Sequence, residues 1–168
     1  MTWLNLDTWI ISDTHFGHAN IIKYCNRPEN SDELIADNWN RAVGRNDHVL
    51  HLGDIGWHGK PIPKLSGKVH YIPGNHDSVK DRKLFDAMGW EKLGQIVVLS
   101  KDNLPHSYRY SKVVFSHYPL PHGTHSLNIH GHIHNNGYHE SMPSEDKINV
   151  SIEVMDYKPK RLKDVLGI

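Results

Sequence analysis

The chain has 168 residues, with 19 basic and 19 acidic side chains in balance, so it lacks the net positive field that holds a long nucleic-acid backbone. One cysteine, Cys25, rules out an internal disulfide and suits a reducing cytoplasm, and no apolar run approaches the roughly 20 residues needed to span a bilayer. Fifteen histidines against three phenylalanines is an unusual ratio, and packing alone does not account for it. The length fits one domain, residues 1–168. Met1 to Ser12 has no basic segment before its apolar stretch and includes Asp7, which argues against a secretory leader.

In chain order, Thr8–Ser12 is a β-branched and aromatic run predicted to be a buried strand that stops at Asp13. Ser31 is a candidate N-cap for a helix in which Leu34, Ile35, Asn38, Trp39, Ala42 and Val43 recur at helical spacing, closed by Gly44. His48–Leu52 reads as a second strand running into Gly53-Asp54. Val69–Ile72 reads as a third, broken by Pro73-Gly74 ahead of Asn75-His76-Asp77, with a helix over Val79–Met88 closed by Gly89. Beyond Gln95 the texture predicts antiparallel strands: Ile96–Leu99, Tyr108–Tyr110, and Val113–Phe115 ending at His117. Leu127–Ile129 leads into Gly131-His132-Ile133-His134, and Ile148–Val154 gives a last alternating strand before a helical tail over Arg161–Leu166. Strands alternating with helices, then strands in succession, predict mixed sheets flanked by helices, with the strands' carboxyl ends collecting the polar clusters.

Those clusters are Asp13-Thr14-His15, Gly53-Asp54, Gly74-Asn75-His76-Asp77, His117, and Gly131-His132-Ile133-His134. Carboxylate, imidazole and amide-oxygen donors without thiolate suit Mn, Fe, Zn, Co or Ni, and do not choose among them. On an extended segment Asp13 and His15 point to one side, as do His132 and His134. Singly, each fragment is more often an ordinary turn or a solvated pair; five in succession at strand ends point to a metal site.

The order D-x-H, G-D, G-N-H-[D/E], H, G-H-x-H resembles the calcineurin-like metallophosphoesterase superfamily, and all five blocks stand between Asp13 and His134. The opening Ser-Asp-Thr-His-Phe-Gly-His-Ala-Asn-Ile-Ile is similar to a small stand-alone branch found in bacteria, archaea and phages. The resemblance implies an α/β, four-layer αββα sandwich of two mixed sheets. It implies one metal held by Asp13, His15, Asp54 and His134, and a second held by Asp54, Asn75, His117 and His132. The implied cofactors are two divalent transition-metal ions, manganese foremost, with Fe, Zn, Ni or Co as alternatives.

The implied reaction is hydrolysis of a small phosphodiester or phosphomonoester by a hydroxide shared between the ions, with the diester favoured because a short chain leaves little room for a cap. His76, outside the ligand set, is the candidate proton donor to the leaving oxygen, since an imidazole ordinarily titrates near neutrality; Asp77 is expected to orient it. His18, Asn20, Arg27 and Tyr118 are candidates for substrate contact, with Trp57 and His58 as further lining, and His51 reads as a buried supporting histidine. A metallo-β-lactamase-like hydrolase is a rival, but its H-x-H-x-D-H run is missing. A non-catalytic scaffold of the same fold, as in the retromer subunit, would have lost the histidine that stands here as His76. A nuclease acting on short nucleic-acid ends remains as an alternative; a long nucleic acid or a membrane is not expected as a partner.

Overall fold

The computed structural model describes residues 2–121, 125–135 and 145–168. His122 and His139, given no task from sequence, lie outside them. Among the described residues nine strands form two mixed sheets. In the first, β4(Glu91–Lys92), β3(Lys68–Tyr71), β2(His48–His51), β1(Trp9–Ile11) and β9(Lys160–Arg161) lie side by side in that order. The second runs β5(Ile96–Ser100), β6(Lys112–Ser116), β7(Ser126–His130), β8(Lys147–Asn149). The helices are α1(Ile21–Tyr24), α2(Ser31–Ala42), α3(Val79–Ala87) and α4(Leu162–Leu166). Two mixed sheets flanked by helices are the architecture predicted from sequence.

Side-chain alternation along the first sheet builds two cores. Ile10 pairs with Leu50 in parallel register, and both face the second sheet, where Val97, Leu99, Val113, Phe115, Leu127 and Ile129 complete one apolar layer. The intervening Ile11, Val49, Val69 and Tyr71 face the helices and meet Ile35 and Trp39 of α2 and Phe85 of α3. The indole N–H of Trp39 donates to the Ser66 carbonyl at 2.8 Å, so this large side chain is buried without an unpaired donor.

α2 begins one residue earlier than capping predicts: Ser31 is its first residue, and Asn30 at the cap makes no side-chain bond. Asp32 and Glu33 in the first turn complement the helix dipole instead. α3 starts as its sequence suggests, with Ser78 and Asp81 closing a reciprocal capping box, and terminates before Gly89.

Three predicted features are corrected. In the second sheet only β5 and β6 are antiparallel; β6–β7 and β7–β8 are parallel, with Lys112 opposite Ser126 and Ser116 opposite His130, so that β6 and β7 end at the same edge. Tyr108–Tyr110 is not a strand: the Tyr108 amide closes a turn on Pro105 and the Tyr108 carbonyl accepts from Lys101 Nζ, occupying both backbone groups of Tyr108 that a ladder would need. The run Ile148–Val154 is divided, since the chain crosses from β8 in the second sheet to a parallel bridge between Ser151 and Ser12 beside the first, then winds into a 3-10 turn over Ile152–Met155.

The consequence for the site is one of direction. β1, β2 and β3 are mutually parallel, as are β6 and β7, so Asp13, Asp54, Asn75, His117 and His132 all follow carboxyl ends. Among the described residues no helix is long and apolar enough to cross a membrane.

Leu50, fully buried between the sheets, should report on this packing. Leu50→Ala is expected to cost about 2–5 kcal/mol, lowering the urea midpoint of metal-free protein with an unchanged slope. Val98→Ala, on the outer face and 52% exposed, should stay within about 0.5 kcal/mol of wild type.

Candidate metal centre

The seven predicted donors come together at the shared carboxyl edge. Asp13, His15 and His134 form one trio and Asp54, His117 and His132 another, each offering one donor atom per residue within 4.8 Å of the others. Asp54 joins the two: its Oδ2 lies 3.6 Å from His15 Nε2 and 3.4 Å from His117 Nε2. Asn75 belongs to the second trio, with Oδ1 at 2.8 Å from His117 Nε2 and 3.0 Å from His132 Nδ1.

Neighbouring bonds aim these groups. His76 N–H donates to Asp54 Oδ1 at 2.8 Å, which leaves Oδ2 between the two imidazoles. His117 Nδ1 is 2.9 Å from the Leu52 carbonyl, so Nδ1 carries the proton and Nε2 the free lone pair. Asp13 accepts from the His132 amide and from Ser151 Oγ at 2.9 Å. Two motif glycines are explained by close approach. A Cβ on Gly74 would stand 2.1 Å from Asp54 Oδ1, and one on Gly131 would stand 2.0 Å from Ser12 Oγ and 2.3 Å from Asp13 Oδ2. Five donor residues adopt left-handed backbone: Asp13 (φ 59), His15 (φ 51), Asp54 (φ 55), His132 (φ 74) and His134 (φ 51).

The donor set fits a cation. Both ring nitrogens of His15 are buried without a hydrogen-bond partner among the described residues, and burial drives its basicity well below the ordinary value, leaving a neutral nitrogen donor. Burial also raises Asp13, whose protein partners do not fully offset the loss of water. Asp54 remains ionised, held at about 2 because its contacts with His117 and His15 outweigh the burial that would raise it. A buried carboxylate beside unpartnered imidazole nitrogens is the arrangement that a divalent ion completes.

Other predicted residues take different places. His76 is exposed, its ring 5.5 Å from that of His15. Asp77 does not orient it. Its Oδ2 accepts from the amides of Asp54 and Gly74 and its Oδ1 from that of Ile55, so the carboxylate staples two ligand loops together. Arg27 does not face a substrate either. It is buried, with Nε and Nη2 on Glu153 Oε1, Nη1 on the Thr14 carbonyl and Nη2 also on the Asp13 carbonyl.

His18 stacks on Trp57 at 3.5 Å and 6° beside His15, and Tyr118, 47% exposed, lies 4.4 Å from the His132 ring. His58 meets the Trp57 edge, and exposed Asn20 gives its backbone carbonyl to α1. His51 is buried as predicted, and its bonds are specific. Nδ1 accepts from Gly53 N–H, and Nε2 donates to Thr14 Oγ1, which donates in turn to the Ile55 carbonyl.

Sequence reasoning missed the polar side of the final alternating run. Asn149 Nδ2 binds the His134 carbonyl, Ser151 binds Asp13, and Glu153 Oε1 takes His134 Nδ1 at 2.8 Å, so this side backs the site. The alternation of Asn149, Ser151 and Glu153 with apolar residues was the available signal, but it does not say what the polar side meets.

Residues 6–166 match the Calcineurin-like phosphoesterase family. The uncharacterized protein MJ1445 of Methanocaldococcus jannaschii is 36% identical over 92% of this chain and 86% of its own length. The Gene 66 protein of Mycobacterium phage D29 is 24% identical over 88% of each. The crystal structure of AQ665 from Aquifex aeolicus, a protein of unknown function, superposes with a TM-score of 0.72 at 24% identity, covering 94% of this chain and 96% of that one. That likeness shows the shared fold.

Burial holds the His51 ring neutral, its pKa taken from the ordinary 6.5 to about 3. A group depressed on folding stabilises fully above its unfolded value, and that stability is lost as pH falls through the folded one. In metal-free protein, His51→Asn should cost about 1–3 kcal/mol at pH 7 through the broken bond to Thr14. Between pH 6.5 and about 3 its stability should fall less steeply than wild type, by up to about 1.4 kcal/mol per pH unit. Urea titrations across that range check both.

Proposed function

Because the chain belongs to the calcineurin-like phosphoesterase family of metal-dependent phosphoester hydrolases, we propose that it is a binuclear hydrolase of small phosphodiesters. The observation that carries this reading is the Asp54 carboxylate, one oxygen of which stands between His15 and His117 and so ties two donor trios into one centre. Asp13, His15, Asp54 and His134 would hold one divalent ion, and Asp54, Asn75, His117 and His132 the other, with manganese the first metal to try. Bound there, the pair would supply Lewis acidity that makes water nucleophilic at neutral pH and clamps the phosphoryl oxygens.

The chain's own residues supply the rest. His76 stands exposed beside the centre, fixed by its backbone bond to Asp54, where its imidazole can pass a proton to the departing oxygen. His18, immobilised against Trp57, and Tyr118, against His132, flank the donors on two sides and are assigned to contacts with the ester's substituents. Asn75, His76 and Tyr118 are all exposed, and such an open rim admits a phosphorus carrying two ester groups. This supports a diester over a monoester, and a nucleotide-like group among the substrates, since its base could lie along the aromatic rim.

Metal-stripped protein reconstituted with Mn²⁺ should hydrolyse bis-nitrophenyl phosphate faster than nitrophenyl phosphate, and a chelator should abolish both. No metal-stimulated turnover on any mono- or diester would make the chain a scaffold, and turnover confined to dinucleotides or oligonucleotide ends would make it a nuclease. His76→Ala should retain both metals and lose turnover by about 10²–10⁴-fold on an alkyl leaving group, with a much smaller loss on nitrophenolate. Equal losses on the two would remove His76 from the proton-donor role.

A further inference from the structure

Two residues outside the five sequence blocks are built into the back of the centre. Glu153 follows β8 in the 3-10 turn, and its side chain is only 2% exposed. One oxygen, Oε1, receives three donors: Arg27 Nε at 2.8 Å, Arg27 Nη2 at 2.6 Å and His134 Nδ1 at 2.8 Å. With Nδ1 committed, His134 has only Nε2 as a lone-pair nitrogen for the trio it forms with Asp13 and His15.

The same guanidinium also holds the carbonyls of Asp13 and Thr14, and therefore the left-handed turn that carries two further members of that trio. One sealed ion pair thus positions three donors of one metal position.

Among the described residues the second position has no carboxylate behind an imidazole; Asp77 there holds only backbone amides. His117 Nδ1 rests on a backbone carbonyl, that of Leu52, and Asn75 contributes a neutral amide oxygen where the first position has the Asp13 carboxylate. An imidazole backed by a carboxylate is the more basic and better-oriented ligand. Asp54 serves both positions and does not distinguish them.

On the binuclear reading above, we infer that Glu153, clamped by Arg27, is a positioning residue that makes the Asp13–His15–His134 position the tighter and first-loaded of the two. Removing its charge weakens that position and largely spares the other. Glu153→Gln keeps the shape and an acceptor for Arg27 while removing the charge.

Calorimetric titration of metal-stripped protein with Mn²⁺, checked by metal analysis after dialysis, should show two unequal equivalents in wild type. E153Q should weaken the tighter one about 10- to 100-fold and shift the other by less than about 3-fold. N75A should weaken the looser one instead, and E153D should recover part of what E153Q loses. Thermal melts without metal show whether each variant folds; should E153Q not fold, E153D against N75A carries the same contrast. Two equivalents in wild type that E153Q weakens alike, or leaves alone, overturn the role of Glu153. A single equivalent in wild type overturns the binuclear reading itself.

Discussion

Two carboxylates, Asp13 and Asp54, are almost fully removed from water at the end of a single sheet, and most of the polar structure around them offsets that cost. A buried charge without partners is worth several kcal/mol against folding. Asp54 is met by a backbone amide and two imidazoles, and Asp13 by a backbone amide and the Ser151 hydroxyl. Asp77, itself buried, holds the loops that present Asp54 and Asn75 through three amides. These partners are unequal to the need at Asp13, whose carboxyl is pushed up by burial, and on the proposed reading a divalent ion would supply what the protein does not.

The same constraint explains the backbone. Residues with a Cβ adopt the left-handed region at a cost of order 1–3 kcal/mol each, and five of the donors do so. Such turns bring a side chain back over its own strand end, which is how short loops from β1, β2 and β7 converge without long excursions. The turns at the two carboxylates are fixed from two sides: Asp13 by Arg27 at its carbonyl and His132 at its carboxylate, and Asp54 by Asp77 at its amide and His76 at its carboxylate. Gly74 and Gly131 are the positions where this crowding excludes even a methyl group.

Where the sequence was legible, period and punctuation agreed. Thr8–Ser12, His48–Leu52 and Val69–Ile72 are largely apolar runs stopped by Asp13, Gly53-Asp54 and Pro73-Gly74, and they became β1, β2 and β3 within a residue or two. The donor blocks were legible for the same reason, since each sits where a run stops. What failed was whatever depends on the partner rather than the segment. Tyr108–Tyr110 has strand composition, yet Lys101 takes the Tyr108 carbonyl and the Tyr108 amide turns back on Pro105.

Ile148–Val154 alternates as one strand would, yet it leaves one sheet for the other midway. Arg27 is an arginine near a phosphoester site, and nothing local reveals that Glu153, far along the chain, neutralises it. The acidic partner of an arginine and the side on which an alternating run turns its polar residues are facts of tertiary packing.

With Arg27 locked inward, the arginine that sequence suggested for phosphate is unavailable, and this bears on selectivity. Two carboxylates, Asp13 and Asp54, balance half of the charge that two divalent ions would bring, while Glu153 and Arg27 cancel each other. On the proposed reading the remaining positive charge is concentrated at the centre, so the phosphoryl oxygens are gripped there and not by the rim. Discrimination among esters then falls to the groups around the opening, His18 on Trp57, His76 and Tyr118, which present ring faces and edges rather than fixed charges. Ring contacts reward a planar substituent and tolerate variation in the rest of the molecule, so the breadth of substrates should follow the flatness of the leaving group more closely than its charge.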